Sequence, residues 1–148
     1  MGTSFVAIGD KGFWMTDSVL SLWLRLLALN LEGERDPAHP LAVLRDEWLW
    51  QSEVASVGFM DARLDQVASE PATKASVVAA IERLLDELSR HHGKLAGPTL
   101  NLLGFRGVSW TGDFEAKDLI EVGNAFLALI AGKIDSEANS TEFMPGCR

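Results

Sequence analysis

The residues of this sequence that could carry catalysis or hold a metal ion are few and far apart. Glu87 and His91 lie four positions apart, a spacing that on a helix could bring two ligands to one metal ion. A di-iron helical bundle, however, uses two Glu-x-x-His motifs and two further glutamates, and no such motif occurs here. Asp36 and His39 could form an acid–base pair in one loop, but no nucleophile lies nearby. The sequence therefore predicts no catalytic residue, no metal ligand and no cofactor.

Three glycine-containing segments resemble parts of anion-binding loops. Gly9-Asp-Lys-Gly12 lacks the Gly-Lys-Ser/Thr ending of a P-loop. Gly104-Phe-Arg-Gly107 has the outline of a GxxG RNA clamp but lacks basic surroundings. Thr111-Gly-Asp113 opens a predicted helix, where an anion could bind, but the Asp113 carboxylate would repel it. We interpret the first two segments as turns and the third as a helix start.

The composition is that of an acidic globular protein. The chain has 21 acidic and 13 basic residues, a formal charge of −8 and a pI of about 4.8. This charge disfavours binding to nucleic acid and favours encounter with a basic protein. The single cysteine, Cys147, excludes an intrachain disulfide, and with three histidines at these spacings it cannot form a zinc site. The sequence begins without the pattern of a signal peptide, so we expect a cytoplasmic protein.

Residues 17–31 predict one helix that is apolar around most of its circumference. Such a helix lies either in a core or in a membrane, and Arg25 and the shortness of the run argue against the membrane. Other helices must then surround it, and apolar periodicity predicts them over 41–55, 73–92 and 113–131. We therefore expect an all-α fold, or an α fold with a minor β element, in which four main helices form a compact bundle around the central helix 17–31.

The remaining segments carry weaker patterns. Two short apolar runs within residues 3–15 predict either a small hairpin or an extended arm across the bundle. Residues 108–110 could form a strand that pairs with residues 5–8. We expect residues 1–133 to form a single helical domain and the polar, aperiodic residues 134–148 to form a flexible C-terminal tail.

The helix predicted over 41–55 has two apolar stripes. The stripe expected to face the core consists of Leu41, Leu44, Trp48 and Ala55. The second stripe, our candidate partner-binding site, consists of Val43, Trp50 and Val54. Trp48 and Trp50 lie about 200° apart around a helix, so they cannot face the same core. Either the N-terminal arm or the 95–110 connection covers the second stripe, which is the alternative we favour, or another chain does.

These observations predict a small acidic cytoplasmic domain that binds or regulates a protein partner without catalysis. A narrower form of this prediction is an immunity-type protein that neutralises a basic partner, because such proteins are often small, acidic and helical. The alternative is a small-ligand-binding protein or enzyme whose inter-helical pocket is lined by Trp14, Trp23 or Trp110. A third is self-association through Trp50. We expect no nucleic-acid or membrane partner.

Overall fold

The computed structural model describes residues 2–31, 33, 35–54, 58–90, 93–106 and 109–147, except for the side chain of Val54. The elements follow one another along the chain as β1 (Thr3–Ile8), β2 (Lys11–Thr16), α1 (Asp17–Asn30), α2 (Pro40–Val54), α3 (Leu64–Ser69), α4 (Pro71–Arg90), β3 (Lys94–Leu95), α5 (Gly97–Asn101), β4 (Phe114–Glu115) and α6 (Ala116–Ile130). β1 pairs with β2 and β3 with β4, both antiparallel.

The expected all-α bundle is wrong. In the described part of the chain helices account for 54% and strands for 12%, in six helices and two small antiparallel sheets. The four main helices do form, as α1, α2, α4 and α6, but α3 and α5 join them, and the β1–β2 hairpin supplies one wall of the core. Residues 5–8 pair with residues 11–14 rather than with residues near 110.

The hairpin enters the core because its side chains alternate between two faces. Val6 of β1 and Phe13 and Met15 of β2 are buried, whereas the intervening Phe5, Ala7 and Trp14 are partly exposed. Gly12 lies so close to β1 that a Cβ atom there would be 2.0 Å from the carbonyl oxygen of Val6. The alternation over so few residues is a weak sequence signal, and this is why the sequence left a hairpin and an extended arm as alternatives.

Helix α1 is the centre of the fold, packed by α2, α4 and the hairpin. Trp23 is fully buried on it, with its ring centroid 5.6 Å from that of Phe126 on α6. Gly123 of α6 permits this approach, because a Cβ atom there would lie 2.4 Å from Cδ2 of Leu85 and 2.9 Å from the Trp23 ring. Among the described helices, none has both the length and the apolarity needed to cross a bilayer.

The C-terminal segment, residues 133–147, lies against β2 and α6. The amide of Gly12 donates to the carbonyl of Ser136 at 2.8 Å, and the Ser136 hydroxyl donates to the carbonyl of Gly12 at 2.7 Å. Nζ of Lys11 donates to Oε1 of Glu137 at 2.5 Å, and this hydrogen bond raises the pKa of the lysine ammonium. The flexibility of residues 134–148 stays a prediction, and these contacts weigh against it.

Candidate partner-binding surface

Helix α2 places its two tryptophans on opposite sides. Trp48 is fully buried, and its indole Nε1 donates to the carbonyl oxygen of Ala62 at 2.9 Å. Trp50, two residues later, is 56% exposed. The separation of about 200° around the helix explains the difference, because only one of the two rings can face the core.

Val43 shares the exposed face of α2 with Trp50, seven residues or about two helical turns away, and is 48% exposed. Asp46 lies between them and is also exposed. We call Val43, Asp46 and Trp50 the Trp50 surface. Val54 ends α2, but its side chain lies outside the described atoms, so its predicted place in the stripe is untested. The internal cover that we favoured for Trp50 is not found, since its ring remains more than half exposed.

Phe59 is a second exposed aromatic residue, and no sequence pattern predicted it. It is 87% exposed, in a segment that follows α2. Asp61 of this segment is joined to α2 by two hydrogen bonds: Nε2 of Gln51 donates to its carbonyl at 2.7 Å, and its amide donates to Oε1 of Gln51 at 2.8 Å. An isolated phenylalanine after a helix has no periodicity that could mark it. Gly58, a helix breaker beside an aromatic residue, is the one signal that a sequence reading could have used.

Negative charge predominates along this part of the chain. Residues 40–65 contain five acidic residues and two arginines. Arg45 pairs with Asp46 at 3.2 Å, and Arg63 pairs with Glu47 at 3.3 Å. Since these pairs are partly exposed and solvent screens them, each contributes little to stability. Glu53 is also paired, with Arg25 at 3.3 Å and Arg106 at 3.7 Å, so arginines from other segments offset part of the acidic excess at this surface.

Arg25 fixes the C-terminal half of α2 to the rest of the fold. Its Nε donates to the carbonyl of Leu103 at 2.7 Å, and its Nη1 lies 3.4 Å from the Ser52 hydroxyl and 3.3 Å from the Glu53 carboxylate. A Cβ atom at Gly104 would lie 2.5 Å from Nη2 of Arg25, so the 103–104 backbone closes tightly over the guanidinium. The mostly buried Arg25 side chain therefore joins α1, α2 and the 103–104 segment, and the helix that carries Trp50 is held in place.

The predicted absence of catalytic and metal-binding residues is untested. Asp36 and His39, the candidate acid–base pair, are among the described residues. Oδ1 of Asp36 accepts from the amide of Ala38 at 2.9 Å, and Nδ1 of His39 accepts from the amide of Leu41 at 3.2 Å, so both groups form local turn hydrogen bonds. His91 lies outside the described residues, as does Gly107. Within the described ranges no cluster of three or more His, Cys, Asp or Glu side chains could hold a metal ion.

The anion-loop candidates have local structural roles. Gly9 lies in the turn of the β1–β2 hairpin with a φ of +63°, a conformation that glycine adopts without strain. Oδ1 of Asp113 accepts from the amide of Gly97 at 3.2 Å and so joins the loop before β4 to α5.

Trp14, Trp23 and Trp110, proposed as alternative walls of an inter-helical pocket, have different environments in the structure. Trp23 is buried in the core, and Nε1 of Trp14 donates to the carbonyl of Ala138 at 2.8 Å. Trp110 lines an open cavity of about 500 Å³ together with Ser18 and Asp113, and neither of the other two tryptophans contributes to its wall.

Comparisons with protein-family models, with curated proteins and with solved structures find no match to this chain. The chemistry of the Trp50 surface is therefore the basis for proposing a function.

Proposed function

We propose that this protein is a non-catalytic binding domain that acts by occupying a protein partner through the Trp50 surface. The observation that supports the proposal is that Trp50 is 56% exposed on α2. This helix is held in place by the contacts of Arg25 and by the hydrogen bonds between Gln51 and Asp61. A large aromatic ring buries much apolar area with few rotatable bonds, so residues of this kind dominate interface energetics.

The partner that fits this surface is a basic protein. The chain carries a formal charge of −8, and acidic residues outnumber arginines along residues 40–65. Opposite charge accelerates encounter and orients the two surfaces, whereas nucleic acid would be repelled. The single cysteine fits a reducing compartment, and we include the cytoplasm in the proposal.

A narrower form of the proposal is an immunity-type protein, which neutralises a basic toxin by covering it. This narrower form is supported by the small size and acidity that the chain shares with immunity proteins, and not by the geometry of the site. It adds one requirement, that complex formation abolishes the activity of the partner.

The second candidate is small-ligand binding in the cavity beside Trp110. Its volume of about 500 Å³ lies within the range typical of ligand sites, and the Ser18 hydroxyl and the Asp113 carboxylate contribute polar groups. Quenching of tryptophan fluorescence by a ligand library, lost in Trp110→Leu, would favour this candidate.

The experiment compares wild-type protein, Trp50→Ala and Leu102→Ala, each immobilised and offered a lysate of the source organism. Leu102 is a matched control because it is 85% exposed but belongs neither to α2 nor to residues 58–63. A captured protein is identified, purified and titrated by calorimetry at low and high salt.

We expect Trp50→Ala to weaken the affinity about 30-fold or more, equivalent to about 2 kcal/mol, and Leu102→Ala to leave it unchanged. The affinity of the wild type should fall with salt. Identical captured sets for wild type and Trp50→Ala would contradict the proposal. A concentration-dependent dimer in light scattering that Trp50→Ala abolishes would replace the basic partner with a second copy of this chain.

A further inference from the structure

Phe59 is the most exposed large apolar side chain in the described part of the protein, yet the residues on both sides of it are held by hydrogen bonds. The amide of Gly58 donates to Oδ2 of Asp17 at 2.6 Å. The amide of Met60 donates to the hydroxyl oxygen of Ser4 at 3.0 Å. An exposed aromatic ring is thus presented by a backbone that has little freedom.

The groups that hold this backbone are themselves buried. Ser4 and Asp17 are at most 8% exposed, and the Ser4 hydroxyl donates to Oδ1 of Asp17 at 2.6 Å. Both oxygens of the Asp17 carboxylate are therefore used, one by the hydroxyl and one by the Gly58 amide. The side chain of Met60 is buried, and its sulfur accepts from the Ser21 hydroxyl at 3.4 Å.

Burial of a carboxylate is unfavourable unless hydrogen bonds compensate for the lost water. Here the Ser4 hydroxyl supplies one of these hydrogen bonds, and the Gly58 amide, next to Phe59, supplies the other. Folding of the domain does not require an aromatic side chain at this position, because the ring contributes little to the core. A backbone held on both sides of an exposed ring lowers the entropic cost of binding, since the Gly58 and Met60 amides already have their hydrogen-bond partners in the free protein.

We infer that Phe59 is a second anchor for the same basic protein partner and that the buried pair Ser4–Asp17 positions it. The inference rests on the proposed function. Gln51 joins the two anchors, since it follows Trp50 directly and hydrogen-bonds Asp61 two residues after Phe59. Chain geometry then limits the Cα–Cα distance between Trp50 and Phe59 to about 20 Å. An interface of ordinary size, about 800 Å² per partner and so about 30 Å across, covers both.

The charge around the second anchor supports the same partner. Asp61 follows Phe59 closely, and its carboxylate is 62% exposed and lies 3.5 Å from Arg63. The side chains of Asp46 near Trp50 and Asp61 near Phe59 are 61% and 62% exposed, so a basic surface would meet an apolar ring beside a carboxylate at both anchors, on a chain whose net charge is −8.

The experiment measures binding of the protein captured by wild type with Trp50→Ala, Phe59→Ala and Leu102→Ala, whose side chain matches Phe59 in exposure. We expect Phe59→Ala to weaken the affinity at least about tenfold, with an unchanged melting temperature, and Leu102→Ala to have no effect. Asp17→Asn should accelerate hydrogen exchange of the Gly58 amide, because asparagine has one acceptor oxygen in place of two and a hydrogen bond to it lacks the charge of the carboxylate.

A double-mutant cycle separates positioning from general stability. If Asp17 acts through Phe59, Asp17→Asn weakens binding in the wild-type background and has no further effect in the Phe59→Ala background. An equal loss in both backgrounds would assign Asp17 a structural role only. Should Asp17→Asn not fold, Ser4→Ala replaces it in the same cycle, since this variant removes the acceptor of the Met60 amide and leaves the carboxylate in place.

The outcomes distinguish the two proposals. If Trp50→Ala abolishes binding and Phe59→Ala does not, the proposed function stands and the second anchor is wrong. If neither variant changes which proteins are captured, both are wrong. If Phe59→Ala instead abolishes a homodimer seen by light scattering, the occupant is a second copy and the basic-partner proposal is overturned.

Discussion

The side-chain amide of Gln51 forms hydrogen bonds with both backbone polar groups of Asp61, at 2.7 and 2.8 Å. Gln51 is buried, and its two hydrogen bonds to Asp61 are partly buried. The side chain of a helical glutamine thus pairs with both backbone groups of one residue in an irregular segment. Together with the hydrogen bond from Trp48 to Ala62, this link holds the 58–63 segment against α2.

Replacement of Gln51 by Leu should destabilise the protein by about 1–3 kcal/mol, because two partly buried hydrogen bonds to the Asp61 backbone are lost. Urea unfolding followed by circular dichroism measures the change. Glu47→Ala is the control, since Glu47 also lies near Nε2 of Gln51, at 3.1 Å, but is partly exposed. A Gln51→Leu midpoint equal to that of Glu47→Ala would mean that this link contributes little.

The two tryptophans of α2 should respond differently to the same substitution. Trp48→Phe replaces a buried indole by a smaller ring and removes the hydrogen bond to Ala62, and should cost about 2–3 kcal/mol. Trp50→Phe changes an exposed side chain, and its effect on unfolding should stay within about 0.5 kcal/mol. Thermal denaturation of both variants checks this. If Trp50→Phe proves as destabilising as Trp48→Phe, the Trp50 ring is part of the core and the proposed surface does not exist.

Gly123→Ala should destabilise α6 even though alanine has the higher helix propensity. The gain of about 1 kcal/mol from propensity is opposed by the clash of the new methyl group with Leu85 and Trp23. We expect a net loss of about 1–3 kcal/mol in calorimetry. Asn124→Ala, at an exposed position of the same helix, should be neutral or slightly stabilising. Greater stability of Gly123→Ala than of the wild type would show that the helices can separate to admit a methyl group.

Deletion of residues 134–148 should lower the melting temperature, contrary to the flexible tail predicted from the sequence. The deletion removes the edge-on contact of Phe143 with Phe13, at 5.9 Å, and the hydrogen bond from the Gly146 amide to Glu121, at 3.1 Å. A loss of about 2 kcal/mol or more is expected from these contacts together with the bonds of Gly12 to Ser136. Cys147→Ser, an exposed change in the same segment, is the control. Equal melting of the truncated and full-length proteins would confirm that the tail is flexible.

Periodicity along the sequence was enough to predict the four main helices and the opposite orientations of Trp48 and Trp50. Both follow from the fixed rotation per residue of an α-helix, which depends on no distant contact. Because residues 17–31 are apolar around most of the helix, other elements had to pack against them on most sides, and α2, α4 and the hairpin do pack against α1. These predictions succeeded because what determines them, the rotation per residue and the side chains of one helix, lies within a single element.

Only the tertiary structure decided which distant segments meet. The hairpin became a wall of the core because Phe13 packs against Phe126, with ring centroids 5.8 Å apart, and no local pattern records that pairing. Residues 136–138 lie against β2 through one backbone–backbone hydrogen bond and three that use the side chains of Ser136, Trp14 and the Lys11–Glu137 pair, and no apolar periodicity marks such bonds. Phe59 is exposed because Asp17 and Ser4, more than 40 positions away, hold the residues on both sides of it. The periodicity of apolar side chains reports only on the helix or strand that contains it, whereas these contacts depend on the paths of the connecting loops.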